Sequence, residues 1–187
     1  MSYDCAVVAM DLFSLTVFNT NLGWMGVVGS SSGLRKIILP QKSKEAVISH
    51  VKDWGSGTIE CGDSALFDDL PHRLRSYLKG KAVDFPDKLD LAQATRFQQD
   101  VWQITRTVPY GETRSYAWVA NKSGLPRAAR AVGQALARNP LPIIIPCHRV
   151  IGSHGGLGGF SGGVEVKRYL LNLEVAYMEE HHVLSIC

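Results

Sequence analysis

The amino-acid sequence predicts an α+β protein, with a small sheet in the first half and mainly helices in the second. In residues 1–92, short β-rich runs alternate with turns rich in Asn, Gly and Ser. From Arg96 onward, apolar residues recur at the three- and four-residue spacing of an α-helix. Hydrophobic residues form 45% and charged residues 20% of the 187 residues, which is a globular balance. No apolar run is long enough to cross a bilayer.

Strands and helices are predicted in that order in the first half. The β-rich runs are CAVVAM, SLTVF, WMGVVG and LRKIILP, and helical spacing follows at 43–54 and 65–80. The stretch 83–95 contains a proline and three aspartates but few large apolar residues, which indicates a boundary. We place this boundary near residue 92, which gives domains 1–92 and 93–187.

Three helices are predicted in the second half before a cysteine-containing segment. The first spans 96–108. The second spans 115–124, with Ser115 as its N-cap and Gly124 just beyond its end. The third spans 126–139, with a proline in its first turn. The last two are short and joined by a glycine-containing turn, so they form a helix-turn-helix candidate.

The third helix carries a basic face among small residues. Arg127, Arg130, Gln134 and Arg138 recur at spacings of 3, 4 and 4. Residues 96–149 contain eight Lys or Arg and two acids, a net charge of +6, which suits a phosphate backbone. Alanines between the arginines let a helix approach its ligand closely. A solvated basic face is the alternative interpretation of the charge.

The segment NPLPIIIPCHR, residues 139–149, places a thiol beside a base. Its three prolines disfavour helix, so residues 143–145 are predicted to form a buried strand that ends at Cys147. His148 and Arg149 are expected to lower the thiol pKa. Adjacent residues of a strand point in opposite directions, so His148 needs a bridging water or a bend to reach the sulfur. An orienting carboxylate is expected from the helix at 164–174, where Glu165 and Glu174 are both candidates.

These residues resemble the O6-alkylguanine-DNA alkyltransferase family, the methylated-DNA–protein-cysteine methyltransferases. The resemblance covers residues 96–175, through FQQDVW, VPYGETRSY, ARAVGQALARNP, PCHRVIG, GGFSGG and VKRYLLNLE. It implies an RNase H-like N-terminal α/β domain with a small sheet, and a mainly helical, winged-helix-like C-terminal domain with a helix-turn-helix. It also implies direct DNA repair. The base is flipped out of the duplex, and the alkyl group of O6-alkylguanine passes stoichiometrically and irreversibly to a cysteine, with O4-alkylthymine as a further candidate substrate.

The resemblance also implies roles for individual residues. Cys147 matches the nucleophile, His148 the base that acts through a water, Glu174 the carboxylate that orients it, and Tyr116 a donor to guanine N3. The implied substrate-binding residues are Asn139, Val150, Gly159, Phe160 and Ser161. The implied DNA-binding residues are Tyr116, Ala117, Leu125, Arg127, Arg130 and Ser153. Phe160 stands where the mammalian member has tyrosine, and Gly159 replaces a side chain, which is expected to widen the pocket.

No cofactor and no metal site are expected. The four cysteines form no CxxC pair, although a site that joins Cys5 or Cys61 to a distant histidine is an alternative. A solvated tail is expected around His181, His182 and Cys187. The N-terminus lacks the features of a signal peptide, so we expect a cytoplasmic, nucleoid-associated monomer with no membrane contact. Its expected partner is double-stranded DNA, bound through the minor groove.

Three other functions are considered beside alkyl transfer. Alkyltransferase-like binding modules lack the cysteine that is present here. A transcription factor that reads the major groove requires polar base-reading side chains, where this helix has alanines. A cysteine hydrolase turns over repeatedly, so the number of groups transferred per chain distinguishes it.

Overall fold

A computed structural model describes residues 12–51, 58–61, 67 and 69–183. The elements, in chain order, are β1 (Leu12–Thr20), β2 (Gly23–Ser30), β3 (Gly33–Gln41), α1 (Lys44–Ser49), β4 (Thr58–Cys61), α2 (Leu70–Tyr77), α3 (Arg96–Arg106), β5 (Arg114–Ser115), α4 (Tyr116–Lys122), α5 (Ala129–Ala137), a 3-10 helix (Cys147–Arg149), β6 (Val150–Ile151) and α6 (Val164–Val183). The mixed α/β content confirms the coarse prediction. The predicted strand at 5–10 lies outside the described residues.

The main sheet has four strands in the order β3-β2-β1-β4. Strand β1 pairs antiparallel with β2 and parallel with β4, and β2 pairs antiparallel with β3. A small core on one side of this sheet lies under α1, with Leu15, Ile38 and Val47 buried there. The other face joins the larger core.

The larger core crosses from the sheet into the helical half. It combines Met25 and Val27 of β2 with Trp102 of α3 and Leu170 of α6. The Trp102 indole N–H donates to the carbonyl of Ala135 at 2.9 Å, so α3 and α5 are joined by a buried polar contact as well as by packing. Residues 81–95, which include the predicted boundary, contain no helix and no strand.

The outer edge of β3 is covered by chain segments from beyond the sheet. The Leu34 N–H donates to Lys88 O at 2.8 Å, and the Ile37 N–H donates to Pro140 O at 2.9 Å. The Arg35 guanidinium pairs with Asp90 at 2.6 Å beside them. This edge of the sheet is therefore attached directly to the segment that leads to Cys147.

Helices α4 and α5 confirm the predicted helix-turn-helix, with one shift. Ser115 caps α4 by accepting from the Trp118 N–H at 3.0 Å, and Gly124 follows its end with φ +76°, as its position predicts. Helix α5 begins at Ala129 and not at 126, because residues 126–127 form a turn first. Arg127 therefore precedes the helix.

The described end of the chain is exposed at residues 179–181, as expected of a solvated tail, and it is helical. Helix α6 continues to Val183, and His181 stacks on Tyr177 with ring centroids 3.8 Å apart. The side chain of His182 and the whole of Cys187 lie outside the described residues. Within the described parts, no three His, Cys, Asp or Glu side chains form a metal-binding group, and no helix is long and apolar enough to span a membrane.

Candidate active site

The predicted strand at residues 143–145 is wrong, and the segment forms a buried turn. Ile143 has φ +76°, and the Ile145 N–H donates to Leu141 O at 2.8 Å. Prolines on both sides remove the N–H groups that a sheet ladder would need, so the chain closes on itself. All three isoleucines are buried, as predicted. The turn delivers Cys147 to the start of a 3-10 helix.

The thiol of Cys147 is buried and held by Asn139. Cys147 is 4% exposed, and the Asn139 side-chain amide donates to its sulfur at 3.0 Å. Burial raises the thiol pKa, although the Asn139 amide and the positive charge of Lys167 act in the opposite direction. The backbone N–H of His148 also lowers this pKa, as expected of His148, but burial outweighs these groups and the net shift is upward.

His148 is fully buried beside Glu174. Its Nε2 lies 2.9 Å from Glu174 Oε1, so Glu174 and not Glu165 is the carboxylate that meets it. Glu165 instead pairs with Arg168 on the surface at 2.7 Å. Burial lowers the pKa of His148, which keeps the imidazole neutral at physiological pH. Its Nδ1 is buried and has no hydrogen-bond partner among the described residues.

Glu174 is an ionised carboxylate with several donors around it. Burial opposes its ionisation, but hydrogen bonds from His148 and pairing with Arg149 lower its pKa to about 2. Arg149 donates to Oε2 at 3.0 Å and to the carbonyl of Val108 at 2.7 Å. The Gly111 N–H donates to Oε2 at 3.0 Å. The charge of Glu174 is thus balanced mainly by Arg149, and the imidazole can stay neutral.

Sequence reasoning missed two buried residues of this site. Tyr77, from the first half of the chain, places its hydroxyl 2.5 Å from Glu174 Oε1 and 2.9 Å from His148 Nε2. Lys167 on α6 is also buried, and its ammonium donates to Val150 O at 2.6 Å and to Leu157 O at 2.5 Å. The spacing of Tyr77 along its helix is that of an ordinary core residue, so the sequence does not mark it as part of a site. A lysine at a core position of a helix, flanked by Val166 and Leu170, is a signal that could have been used.

The loop that follows β6 packs Gly158 against Tyr116 and carries three predicted substrate residues, Gly159, Phe160 and Ser161. Gly158 packs so closely on Tyr116 that an added Cβ would lie 2.6 Å from the hydroxyl. Burial raises the pKa of Tyr116, and Cys147 contributes in the same direction. Phe160 packs partly against the core, whereas Gly159 and Ser161 are exposed. The carbonyl of Val150 already accepts from Lys167 and keeps one lone pair for a ligand.

The predicted DNA-binding residues lie on the helix-turn-helix and on the loop after β6. Arg130, Gln134 and Arg138 are exposed, while Val132 and Leu136 on the other side of α5 are buried. Leu125 is 51% exposed in the turn between the helices. Ala117 is half-buried on α4, and Ser153 is exposed in the loop.

Known proteins share both sequence and fold with this chain. Residues 96–176 match the model of the 6-O-methylguanine DNA methyltransferase DNA-binding domain. A methylated-DNA–protein-cysteine methyltransferase of Methanosarcina acetivorans is 36% identical over 158 residues, which are 84% of this chain and 96% of that protein. This chain belongs to the methylated-DNA–protein-cysteine methyltransferase family.

Other members of the family support the same assignment. A methylated-DNA–protein-cysteine methyltransferase of Mycobacterium tuberculosis is 50% identical over 112 residues, which are 60% of this chain and 67% of that protein. A crystal structure of M. tuberculosis OGT in complex with DNA superposes with a TM-score of 0.72 and 39% identity, covering 88% of this chain and 94% of that one. The O6-methylguanine-DNA methyltransferase of Pyrococcus kodakaraensis superposes with a TM-score of 0.67 and 29% identity, covering 87% of this chain and 98% of that one.

Proposed function

We propose that this chain repairs O6-alkylguanine in duplex DNA by moving the alkyl group onto Cys147 once and irreversibly. The observation that carries the proposal is the placement of Cys147. Its buried thiol is held by the Asn139 amide at 3.0 Å, beside a neutral His148 whose Nδ1 has no partner among the described residues. A buried imidazole nitrogen with no protein partner suits a bridging water that takes the thiol proton.

The proposed step is a displacement at the alkyl carbon. The sulfur–carbon bond forms as the carbon–O6 bond breaks, and the bonding electrons pass to the guanine ring. The thiol proton moves through the water to His148 Nδ1, guanine takes up one proton from water at its ring nitrogen, and His148 returns its proton to water, so the proton count balances. Tyr116 donates a hydrogen bond to guanine N3 as the ring gains charge. The thioether is not cleaved again, so each chain acts once.

DNA is proposed to bind through the minor groove, along α5 and the loop after β6. Arg130 is exposed on α5, where its side chain can fill the gap left by a flipped base. Small residues on α5 and the exposed Leu125 allow close approach. The roles proposed for the remaining residues are those implied by the family resemblance: Ala117, Arg127 and Ser153 at DNA, and Val150, Gly159, Phe160 and Ser161 at the base.

We also propose the fold type of each domain, the boundary between them, the oligomeric state and the location of the protein. The first domain is RNase H-like and the second winged-helix-like, with the division near residue 92. The short pairing of β5 with β6 and the turn closed by Gly152 N–H to Gly156 O at 2.7 Å support the wing. The chain acts as a monomer on nucleoid DNA in the cytoplasm.

Intact mass spectrometry tests the proposal. The protein is incubated with an excess of a duplex carrying one O6-methylguanine, in parallel with Cys147→Ala and with a duplex carrying O4-methylthymine. We expect one added methyl per chain, located on the Cys147 peptide, and none in the variant. Repeated turnover would instead indicate a hydrolase, and binding without a mass change would indicate a recognition module.

A further inference from the structure

Tyr77 connects the first half of the chain to the His148–Glu174 pair. It is the last residue of α2 and is 0% exposed. Its hydroxyl lies 2.5 Å from Glu174 Oε1 and 2.9 Å from His148 Nε2, across 97 and 71 residues of sequence. The three polar groups therefore meet within hydrogen-bond distance of one another.

The hydrogen positions at this meeting point follow from charge. Glu174 is a carboxylate paired with Arg149, so it only accepts hydrogen bonds. The single hydroxyl hydrogen of Tyr77 is therefore directed at Glu174 Oε1, the stronger of its two possible acceptors. The phenolic oxygen is left as an acceptor toward His148. Both groups near Nε2 accept, so Nε2 must carry the imidazole hydrogen.

This arrangement decides the state of the other imidazole nitrogen. A neutral imidazole has one N–H, so a hydrogen on Nε2 leaves Nδ1 with a free lone pair. Nδ1 is the buried nitrogen that has no partner in the described part of the chain. It is consequently ready to accept a proton.

We propose that Tyr77 is a positioning residue that orients Glu174 and His148, so that the Nε2–H tautomer set by both acceptors presents Nδ1 as the base. This inference rests on the proposed function, in which His148 receives the thiol proton. It makes the first domain a contributor to the active site, because α2 supplies one of the groups that hold the imidazole.

The ring of Tyr77 is held rigidly enough for this role. It packs edge-to-face on Phe85, with centroids 6.1 Å apart, and on Tyr110, with centroids 5.9 Å apart. A hydroxyl on a ring packed in this way has little freedom to leave Glu174. Tyr110 of the same cluster gives the matched control. Its hydroxyl donates to the carbonyl of Gly80 at 3.1 Å, and no hydrogen bond joins it to His148 or Glu174 among the described residues.

The test compares Tyr77→Phe with Tyr110→Phe. The first measurement is the rate of methyl transfer at saturating O6-methylguanine duplex, together with the Kd for that duplex. Tyr77→Phe is expected to slow transfer about tenfold with an unchanged Kd, because it removes a partner that orients the base. Tyr110→Phe is expected to leave both values near those of the wild type.

The second measurement reads the tautomer directly. ¹⁵N NMR of histidine-labelled protein is expected to show the Nε2–H tautomer of His148 in all three proteins, because Glu174 accepts from Nε2 in each of them. Only Tyr77→Phe is expected to shift the Nε2–H resonance, because it loses the phenolic acceptor. A purely structural contribution to folding would not shift this resonance in a folded variant.

The outcomes separate this proposal from the proposed function. A Tyr77→Phe protein that keeps the wild-type rate and an unchanged Nε2–H resonance overturns the role of Tyr77 and leaves alkyl transfer intact. If the wild type transfers no methyl group, the proposed function fails. The NMR comparison still tests whether Tyr77 orients the imidazole of His148. If Tyr77→Phe does not fold, the wild-type spectrum decides, since an Nδ1–H tautomer there overturns the proposal.

Discussion

The side-chain amide of Asn139 lies 3.0 Å from the sulfur of Cys147 and 2.8 Å from the carbonyl oxygen of Ile145. Its own carbonyl oxygen accepts from the Leu141 N–H at 2.9 Å. One buried side chain thus closes the turn and orients the thiol at its end. The stability of the turn and the ionisation of the thiol are therefore linked.

Asn139→Ala is expected to destabilise the protein and to raise the thiol pKa further. The substitution leaves the buried N–H of Leu141 without its acceptor and removes one of the two donors to the carbonyl of Ile145, which keeps the Cys147 N–H, at a cost of about 1–3 kcal/mol. Urea unfolding measures the loss, and absorbance of the thiolate against pH measures the pKa. Asn21→Ala, at an exposed turn, is the matched control and is expected to cost less than Asn139→Ala. Equal losses of unfolding free energy in the two variants would contradict the role of Asn139 in closing the turn.

The rate of alkyl transfer is expected to be nearly constant from pH 7 to 8 and to fall at acid pH. Burial holds the pKa of Cys147 above its ordinary value of 9.0 and that of His148 below its ordinary value of 6.5, so thiol and imidazole are both neutral in this range. As pH falls through the lowered pKa, His148 gains a proton and can no longer act as the base. Single-turnover rates at saturating duplex measure the profile, with DNA binding measured at each pH. A tenfold rise from pH 7 to 8 would contradict this assignment.

The same neutral histidine is expected to reduce stability in acid. The unfolded chain binds a proton at His148 below pH 6.5, whereas the folded chain resists it until a lower pH. The folding stability linked to the neutral form of His148 is thus present above pH 6.5 and is lost as pH falls through the lowered pKa. Equilibrium unfolding of the wild type and of His148→Gln, which does not titrate, gives the two pH curves to compare. Parallel curves between pH 7 and 5 would show that His148 does not contribute.

Lys167→Met is expected to cost about 2–4 kcal/mol of folding free energy, because it leaves the buried carbonyl of Val150 and the partly buried carbonyl of Leu157 without their charged donor. The thiol pKa is expected to rise as well, since the positive charge of Lys167 favours the thiolate. Chemical unfolding and thiolate absorbance measure the two effects. Lys81→Met, at an exposed position, is the control for the change of side chain. A small loss at Lys167 with an unchanged thiol pKa would contradict both roles.

Gly158→Ala is expected to slow alkyl transfer about 10- to 100-fold by displacing the Tyr116 hydroxyl. The added Cβ would lie 2.6 Å from that hydroxyl, and the position also has φ +66°. Gly155→Ala separates the two effects, because Gly155 has φ +79° but open space around its Cβ position. Transfer rates at saturating duplex are compared for the two variants. If both lose the same activity, backbone strain and not Tyr116 is responsible.

Local patterns in the sequence predicted much of the fold. Strands β1 to β3 follow from β-rich runs between turns, and the Ser115 cap and Gly124 mark the two ends of α4. The pairing of His148 with Glu174 was available only through the family resemblance, since spacing left Glu165 equally open. Helix α6 settles it by turning Glu165 outward to Arg168.

Two features depended on contacts that local sequence does not encode. Three consecutive isoleucines favour a strand, but the surrounding prolines leave no ladder, and Ile143 instead adopts a positive φ inside a turn. Tyr77 and Glu174 are separated by 97 residues, so their contact appears only after the two halves have packed together. In the sequence, the spacing of Tyr77 from Leu70 and Leu74 predicts only a residue on the buried face of a helix.

The bond from the Ile37 N–H to Pro140 O has a consequence for solubility. Strand β3 lies at the edge of the sheet, and an unpaired edge amide is a template on which another chain can add a strand. The turn closed by Asn139, which orients the thiol, also shields this edge. Any event that shifts residues 139–141 therefore uncovers a site for edge-to-edge association, so that self-association of the protein reports disorder in this turn.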